Sequence, residues 1–127
     1  MHKSRLSSFV IDCKSEDMDA AVRFWSAALG REARPDKDDP NYFELAHDDD
    51  EPILLLQKVE HQGRVHLDIE ADDLDAEAAR LEALGAKKIA FVKRWWVMEA
   101  PTGQRFCVIR PQRGPLVKRA NSWPHGE

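Results

Sequence analysis

One succession of segments occurs twice along this 127-residue chain, and that repetition limits the fold more than any single motif. In the first half, Phe9-Val10-Ile11-Asp12-Cys13 is an apolar, β-rich run. Ser15-Glu16-Asp17-Met18-Asp19 follows as an acidic helix start. Ser15 is the expected N-cap, and the carboxylates face the positive end of the helix dipole. Met18, Ala21, Val22, Trp25 and Leu29 then recur on one helical face, and Gly30 stops the helix. The second half repeats the order. Val65-His66-Leu67-Asp68-Ile69 is a strand, and Asp72-Asp73 opens a helix with Leu74, Ala78 and Leu81 on its apolar face. Leu84 lies near its end and Gly85 closes it. The two Leu-Gly stops lie 55 residues apart, and Asp12 and Asp68 lie 56 apart.

Three short strand-like runs follow each helix. They are Arg31–Arg34, Tyr42–Ala46 and Ile53–Val59 in the first half, and Lys87–Val92, Trp95–Glu99 and Arg105–Arg110 in the second. Turn formers separate them: Pro35 and Pro40, then Pro52, then Pro101-Thr102-Gly103. Each half therefore reads β-α-β-β-β, over residues 5–60 and 64–111, with a tail at 112–127. Units repeated at this length bury their faces against one another, so the expectation is a single α+β domain over 1–127.

Composition narrows the class of function. The formal net charge is −4, which argues against general nucleic-acid binding, a role that needs a basic footprint. No apolar run approaches the ~20 residues of a membrane span. The N-terminus lacks the apolar stretch of a secretory signal, and two cysteines are too few for a disulfide scaffold, so a reducing, cytoplasmic setting is expected. Residues 36–51 carry eight carboxylates against one lysine, whereas 105–127 are basic. Both are read as solvated segments. Asp48-Asp49-Asp50 does not make a calcium loop, because neither the turn glycine nor the closing glutamate of such a loop follows.

Three further stretches carry a family likeness: Arg23-Phe24-Trp25 with Ala28-Leu29-Gly30, the run His66 to Leu74, and the turn Ala100-Pro101-Thr102-Gly103-Gln104 leading into Phe106-Cys107. With the duplication, they make the chain resemble the vicinal oxygen chelate superfamily from about Arg5 to Pro111, closest to its glyoxalase-like branch. The superfamily holds glyoxalases, ring-cleaving dioxygenases and bleomycin-resistance proteins. The resemblance implies tandem βαβββ modules with curved mixed sheets around a cavity, helices outside, a small-molecule ligand and a homodimer.

Enzymes of that superfamily hold one divalent ion with His, Gln and Glu side chains from several strands. His66 matches the fifth-strand histidine, the only matching ligand position. The first-strand position falls at Ser8 or Val10, the fourth-strand position among Leu54, Leu55 and Leu56, and the final-strand glutamate position at Cys107. The resulting expectation is a pocket without a cofactor. Zinc, nickel, manganese or iron is the less favoured alternative, and a zinc held by His66, Asp68 and Cys107 is one form of it.

Strand alternation sorts the faces. Val65, Leu67 and Ile69, with Phe9 and Ile11, fit the helix-packed side; His66, Asp68 and Glu70, with Ser8, Val10 and Asp12, fit the family's cavity side. His66 and Asp68 are the candidate acid–base pair, since a carboxylate beside an imidazole fixes its tautomer. Asp12, His66, Asp68 and Cys107 with Tyr42, Leu54, Leu56, Trp95 and Trp96 are the candidate ligand-binding residues. Within Tyr42-Phe43 and Trp95-Trp96, one aromatic faces the core and the other the opposite side. The leading expectation is metal-independent binding of a small organic molecule, cationic or aromatic, between the modules. The alternative is a lyase or isomerase acting on a small carbonyl compound, with or without a metal. Whether the chain is an enzyme stays open at this level.

Overall fold

In the computed structural model, residues 1–124 are described. The chain divides into two compact units, Ser8–His66, and Met1–Ser7 together with Leu67–Glu127. The elements in order are β1 (His2–Cys13), α1 (Met18–Leu29), β2 (Ala33–Pro35), β3 (Tyr42–Leu45), β4 (Ile53–Lys58), β5 (Arg64–Ala71), α2 (Leu74–Ala83), β6 (Lys87–Val92), β7 (Trp95–Glu99), β8 (Arg105–Ile109) and β9 (Asn121–Trp123). Among the described residues, nine strands in parallel and antiparallel pairs with two helices make an α+β fold. No helix among the described residues is long and apolar enough to cross a membrane.

In the Ser8–His66 unit the strand order is β2-β3-β4-β1. The end of β1 runs parallel to β4, with Phe9 opposite Leu54, Ile11 opposite Leu56 and Asp12 opposite Gln57. Opposed residues share a face, so this register decides what each side chain can reach. Cys13, Leu45 and Leu56 form the buried core, with Ile11, Phe43 and Leu54 and the α1 residues Met18, Ala21, Val22 and Trp25 packed on it. Leu54 and Leu56, expected to line a cavity, therefore lie in the α1 core. The run Ile53-Leu54-Leu55-Leu56 is apolar on both faces, so alternation could not say which leucines turn inward; the pairing with β1 does.

Helix α1 starts one turn-former later than expected. Asp17, not Ser15, is the N-cap, and its side chain accepts from the Ala20 N–H at 3.1 Å. The Ser15 hydroxyl instead accepts from the Asp17 N–H at 3.1 Å. Gly30 ends the helix at φ 65°, a left-handed turn in which a side chain is disfavoured.

In the other unit, β5 pairs parallel with β8, and β8, β7 and β6 continue antiparallel. Asp68 stands opposite Cys107, and Cys107 opposite Val97. Ala71, Ala78, Met98 and Val108 form the core against α2, joined by Leu74, Leu81, Trp96 and Phe106. Val65 and Leu67, expected on a helix-packed face, stay 59% and 41% exposed. Ala71, at the far end of β5, is the residue of that strand buried in the α2 core, so the start of the strand keeps its apolar side chains in solvent.

The tail is held rather than solvated over its described part. Glu70 is fully buried and pairs with the Arg5 Nε at 2.6 Å. Its other oxygen accepts from the Gln112 and Arg113 N–H groups at 2.6 and 3.2 Å. Arg5 in turn donates to the Lys118 and Arg113 carbonyls. Strand β9 then pairs antiparallel with His2–Ser4, and the Trp123 indole donates to the Ser4 hydroxyl. Residues 125–127, the end of the expected tail, lie outside the described residues.

Candidate functional site

Asp12, the last residue but one of β1, has its side chain only 2% exposed. A carboxylate at such a position must find donors, because burying a bare charge is costly. One oxygen, Oδ2, finds a hydrogen-bond donor and has two further side-chain nitrogens near it. His66 Nδ1 donates to it at 3.0 Å. Arg64 Nε lies 3.6 Å from it and His61 Nε2 4.0 Å. The other oxygen, Oδ1, is buried and has no hydrogen-bond donor among the described residues.

Local folding explains this convergence. The segment leaving β4 turns back over the end of β1, where the Val59 N–H donates to the Cys13 carbonyl at 2.9 Å. Gly63 passes so close that an added Cβ would stand 3.1 Å from the Asp12 carbonyl oxygen. That close passage delivers His61, Arg64 and His66 to one carboxylate. The sequence singled out His66 but not the other two: His61 lies in the irregular connection after β4, where no periodicity places it, and Arg64 is the first residue of β5, one position ahead of the run that read as a strand.

Asp12, Gln57 and Tyr42 stand opposite one another across β1, β4 and β3. Tyr42 therefore shares the Asp12 face, while Phe43 turns to the α1 core. Of the tryptophan pair, Trp95 lies on the side of β7 that Val97 and Cys107 share. Trp96, expected as a ligand-binding residue, belongs to the α2 side. Its indole donates to Asp75 at 2.9 Å and it packs edge-on against Phe91. Adjacent strand residues point to opposite faces, so only one of the two could share the Cys107 side.

Burial, aided by the charge of Asp12, raises the Cys13 thiol above its ordinary value, in keeping with an inert core thiol. On β5 and its paired strand β8, His66, Asp68 and Cys107 offer nitrogen, oxygen and sulfur ligand atoms within 4.8 Å of one another. Imidazole, carboxylate and thiolate are donors that zinc accepts, so the chemistry of the set fits a metal. The expectation of a cofactor-free pocket, drawn from His66 as a solitary ligand position, is corrected on this point. The set is the one named above as the less favoured alternative, and the strand register that sets Asp68 opposite Cys107 is what counting family ligand positions could not supply.

Two surface hollows of about 540 and 580 Å³ lie elsewhere, the first beside Asp72–Asp75 and Arg110, the second beside Lys3 and Pro115–Val117. None of the candidate site residues lines either.

Known proteins place the architecture. The family model described as a glyoxalase-like domain matches residues 8–109. No curated protein sequence matches the chain. Among solved structures, methylmalonyl-CoA epimerase from Mycobacterium tuberculosis is similar at 18% identity, with a TM-score of 0.56 and 84% of this chain and 87% of that one covered. The Mn(II)-bound glyoxalase from Novosphingobium aromaticivorans is similar at 20% identity and a TM-score of 0.57, over 84% of this chain and 41% of that one. A glyoxalase/bleomycin resistance protein/dioxygenase superfamily member from Vibrio splendidus 12B01 is similar at 17% identity and 0.52, over 83% and 98%. At these identities the likeness is one of fold.

Proposed function

The chain belongs to the glyoxalase-like domain family of the vicinal oxygen chelate superfamily, and from that premise we propose that it binds a small organic molecule at the Asp12–His66 pair. The observation that carries this reading is Asp12 Oδ1, a buried carboxylate oxygen without a donor. An unmet buried acceptor costs about 1–3 kcal/mol, a cost that a ligand hydroxyl or N–H would remove. Such a ligand is better described as a hydrogen-bond donor than as a cation, because Arg64 already offsets the Asp12 charge. Tyr42 and Gln57 share the face and would supply an aromatic wall and a polar edge.

If chemistry follows binding, His66 is the group to move a proton. Donating Nδ1–H to Asp12 makes the opposite ring nitrogen, Nε2, the basic one. A lyase or isomerase acting on a small carbonyl compound could use that arrangement, with Asp68 as second acid–base group. The convergence of His66, Asp68 and Cys107 favours a metal-assisted form of the same reading. His66, Asp68 and Cys107 would hold the ion, which would polarise a bound oxygen, and Asp12 would orient the His66 ring. We take a homodimer as the working assembly, as is common in the family.

A melting-temperature screen tests the binding reading. Small hydroxy and carbonyl compounds should stabilise the wild type and lose that effect in His66→Ala and Asp12→Asn. Hits that stabilise all three proteins equally would remove Asp12 and His66 from the site. Elemental analysis, with melting in zinc, manganese or EDTA, separates the two forms. Bound metal, and a zinc shift abolished in Cys107→Ala, select the metal-assisted one.

A further inference from the structure

Arg64 stands at the first position of β5 with its side chain 50% exposed. Its Nε faces Asp12 Oδ2 at 3.6 Å and its Nη2 faces His61 Nε2 at 3.5 Å. His61 is itself fixed, its Nδ1 donating to the Gln62 carbonyl at 2.8 Å. The guanidinium is therefore steered from two sides, while Nη1 donates to no acceptor among the described residues. A steered, half-exposed guanidinium presents parallel N–H groups in the geometry that a carboxylate accepts.

Charge points the same way. Arg64 offsets the Asp12 carboxylate it faces, and its exposed N–H groups are what an arriving anion meets at this edge. An arriving cation would meet Arg64 first. Arg64 and His66 both face one oxygen, Asp12 Oδ2, so a molecule of a few heavy atoms spans them.

We propose that Arg64, steered by Asp12 and His61, recognises a carboxylate on the ligand, and that the ligand class is a small organic acid with its reactive or hydrogen-bonding carbon end at His66. This rests on the reading of the Asp12–His66 pair as the binding site and adds the identity of the group at its open edge. Asp12 then has two tasks through one oxygen: it sets the tautomer of His66 and aims the guanidinium of Arg64.

The test uses lactate, pyruvate and malonate, each against its uncharged amide at constant ionic strength. Binding is followed by NMR at the Arg64 Nε–H and the His66 ring. The acids should shift both signals saturably, and the amides should shift His66 alone and more weakly. Arg64→Gln should weaken acid binding about tenfold, as expected for losing a hydrogen bond to a charged group, and amide binding less than about twofold. Arg64→Lys, which keeps the charge without the fork, should fall between. Acids and amides binding equally, or acid affinity unchanged in Arg64→Gln, overturns the role of Arg64 and leaves the Asp12–His66 reading standing. Signals at neither Arg64 nor His66 with any probe overturn both.

Discussion

The two oxygens of Asp12 differ in what they touch, and that difference makes the residue testable. Oδ2 holds His66, whereas Oδ1 is buried without a donor. His66→Ala removes the closest donor to a carboxylate that stays buried. We expect a loss of about 1–3 kcal/mol in urea unfolding, the cost of stranding such a group. Gly63→Ala probes the close passage over Asp12. A new Cβ would meet the Asp12 carbonyl at 3.1 Å, and backbone on both sides has little room to yield. The expected loss is about 1 kcal/mol, together with altered NMR signals at His61 and His66. Unchanged signals would mean that the connection relaxes freely and does not aim these side chains.

Caps and buried charges govern the elements. Asp17→Ala should cost about 1 kcal/mol and Ser15→Ala clearly less, because only the Asp17 side chain accepts from a first-turn N–H of α1. The reverse order would restore Ser15 as the cap. Helix α2 is tied to β1 by Glu77, fully buried, which accepts from His2 at 2.7 Å and from Arg80 at 2.8 Å. Burial pushes the Glu77 carboxyl up, but hydrogen bonds from Arg80, His2 and Ser4 outweigh it, and it titrates below its usual 4.5. The unfolded chain therefore takes up this proton first as the pH falls. The stabilisation is complete above about 4.5 and drains away as the pH drops through the lower folded value. Glu77→Gln should lower stability at pH 7 by about 2 kcal/mol and flatten the loss between pH 7 and pH 3. An acid profile identical to wild type would show that other carboxylates carry it.

For the molecule as a whole, the tail is an integral part. Removing residues from 112 onward takes two N–H donors from buried Glu70 and two carbonyl acceptors from Arg5. It also removes β9. A buried ion pair left with unmet groups should cost about 3 kcal/mol, a fall of roughly 10 °C in melting temperature for a domain of this size. A truncated chain that melts with the full one would make the tail an ornament. The tail was the least legible part of the sequence: its basic residues read as a solvated segment, because nothing nearby in the chain signals a buried glutamate at position 70. Much of the rest was readable. The strands at 87–92 and 95–99 have the bounds the apolar runs gave them, and Gly30 stops α1 as its φ of 65° requires. His66 stood out as a lone histidine on a polar strand face. Asp12 as the partner of its Nδ1 was not legible, because 54 residues separate the two and only the fold brings them together.

Local chemistry alone gave the order of the elements from β1 to β8 and the polar alternation along β5, since caps, turns and alternation act over a few residues; the family came from the resemblance of its motifs. Tertiary structure alone decided which leucines of β4 turn inward, which tryptophan meets α2, and which donors reach Asp12. Each depends on strand register or on a chain passing close by, and the free energy that sets them comes from residues well beyond local reach: 21 positions for Trp96 and Asp75, 45 for Ile11 and Leu56, and 54 for Asp12 and His66.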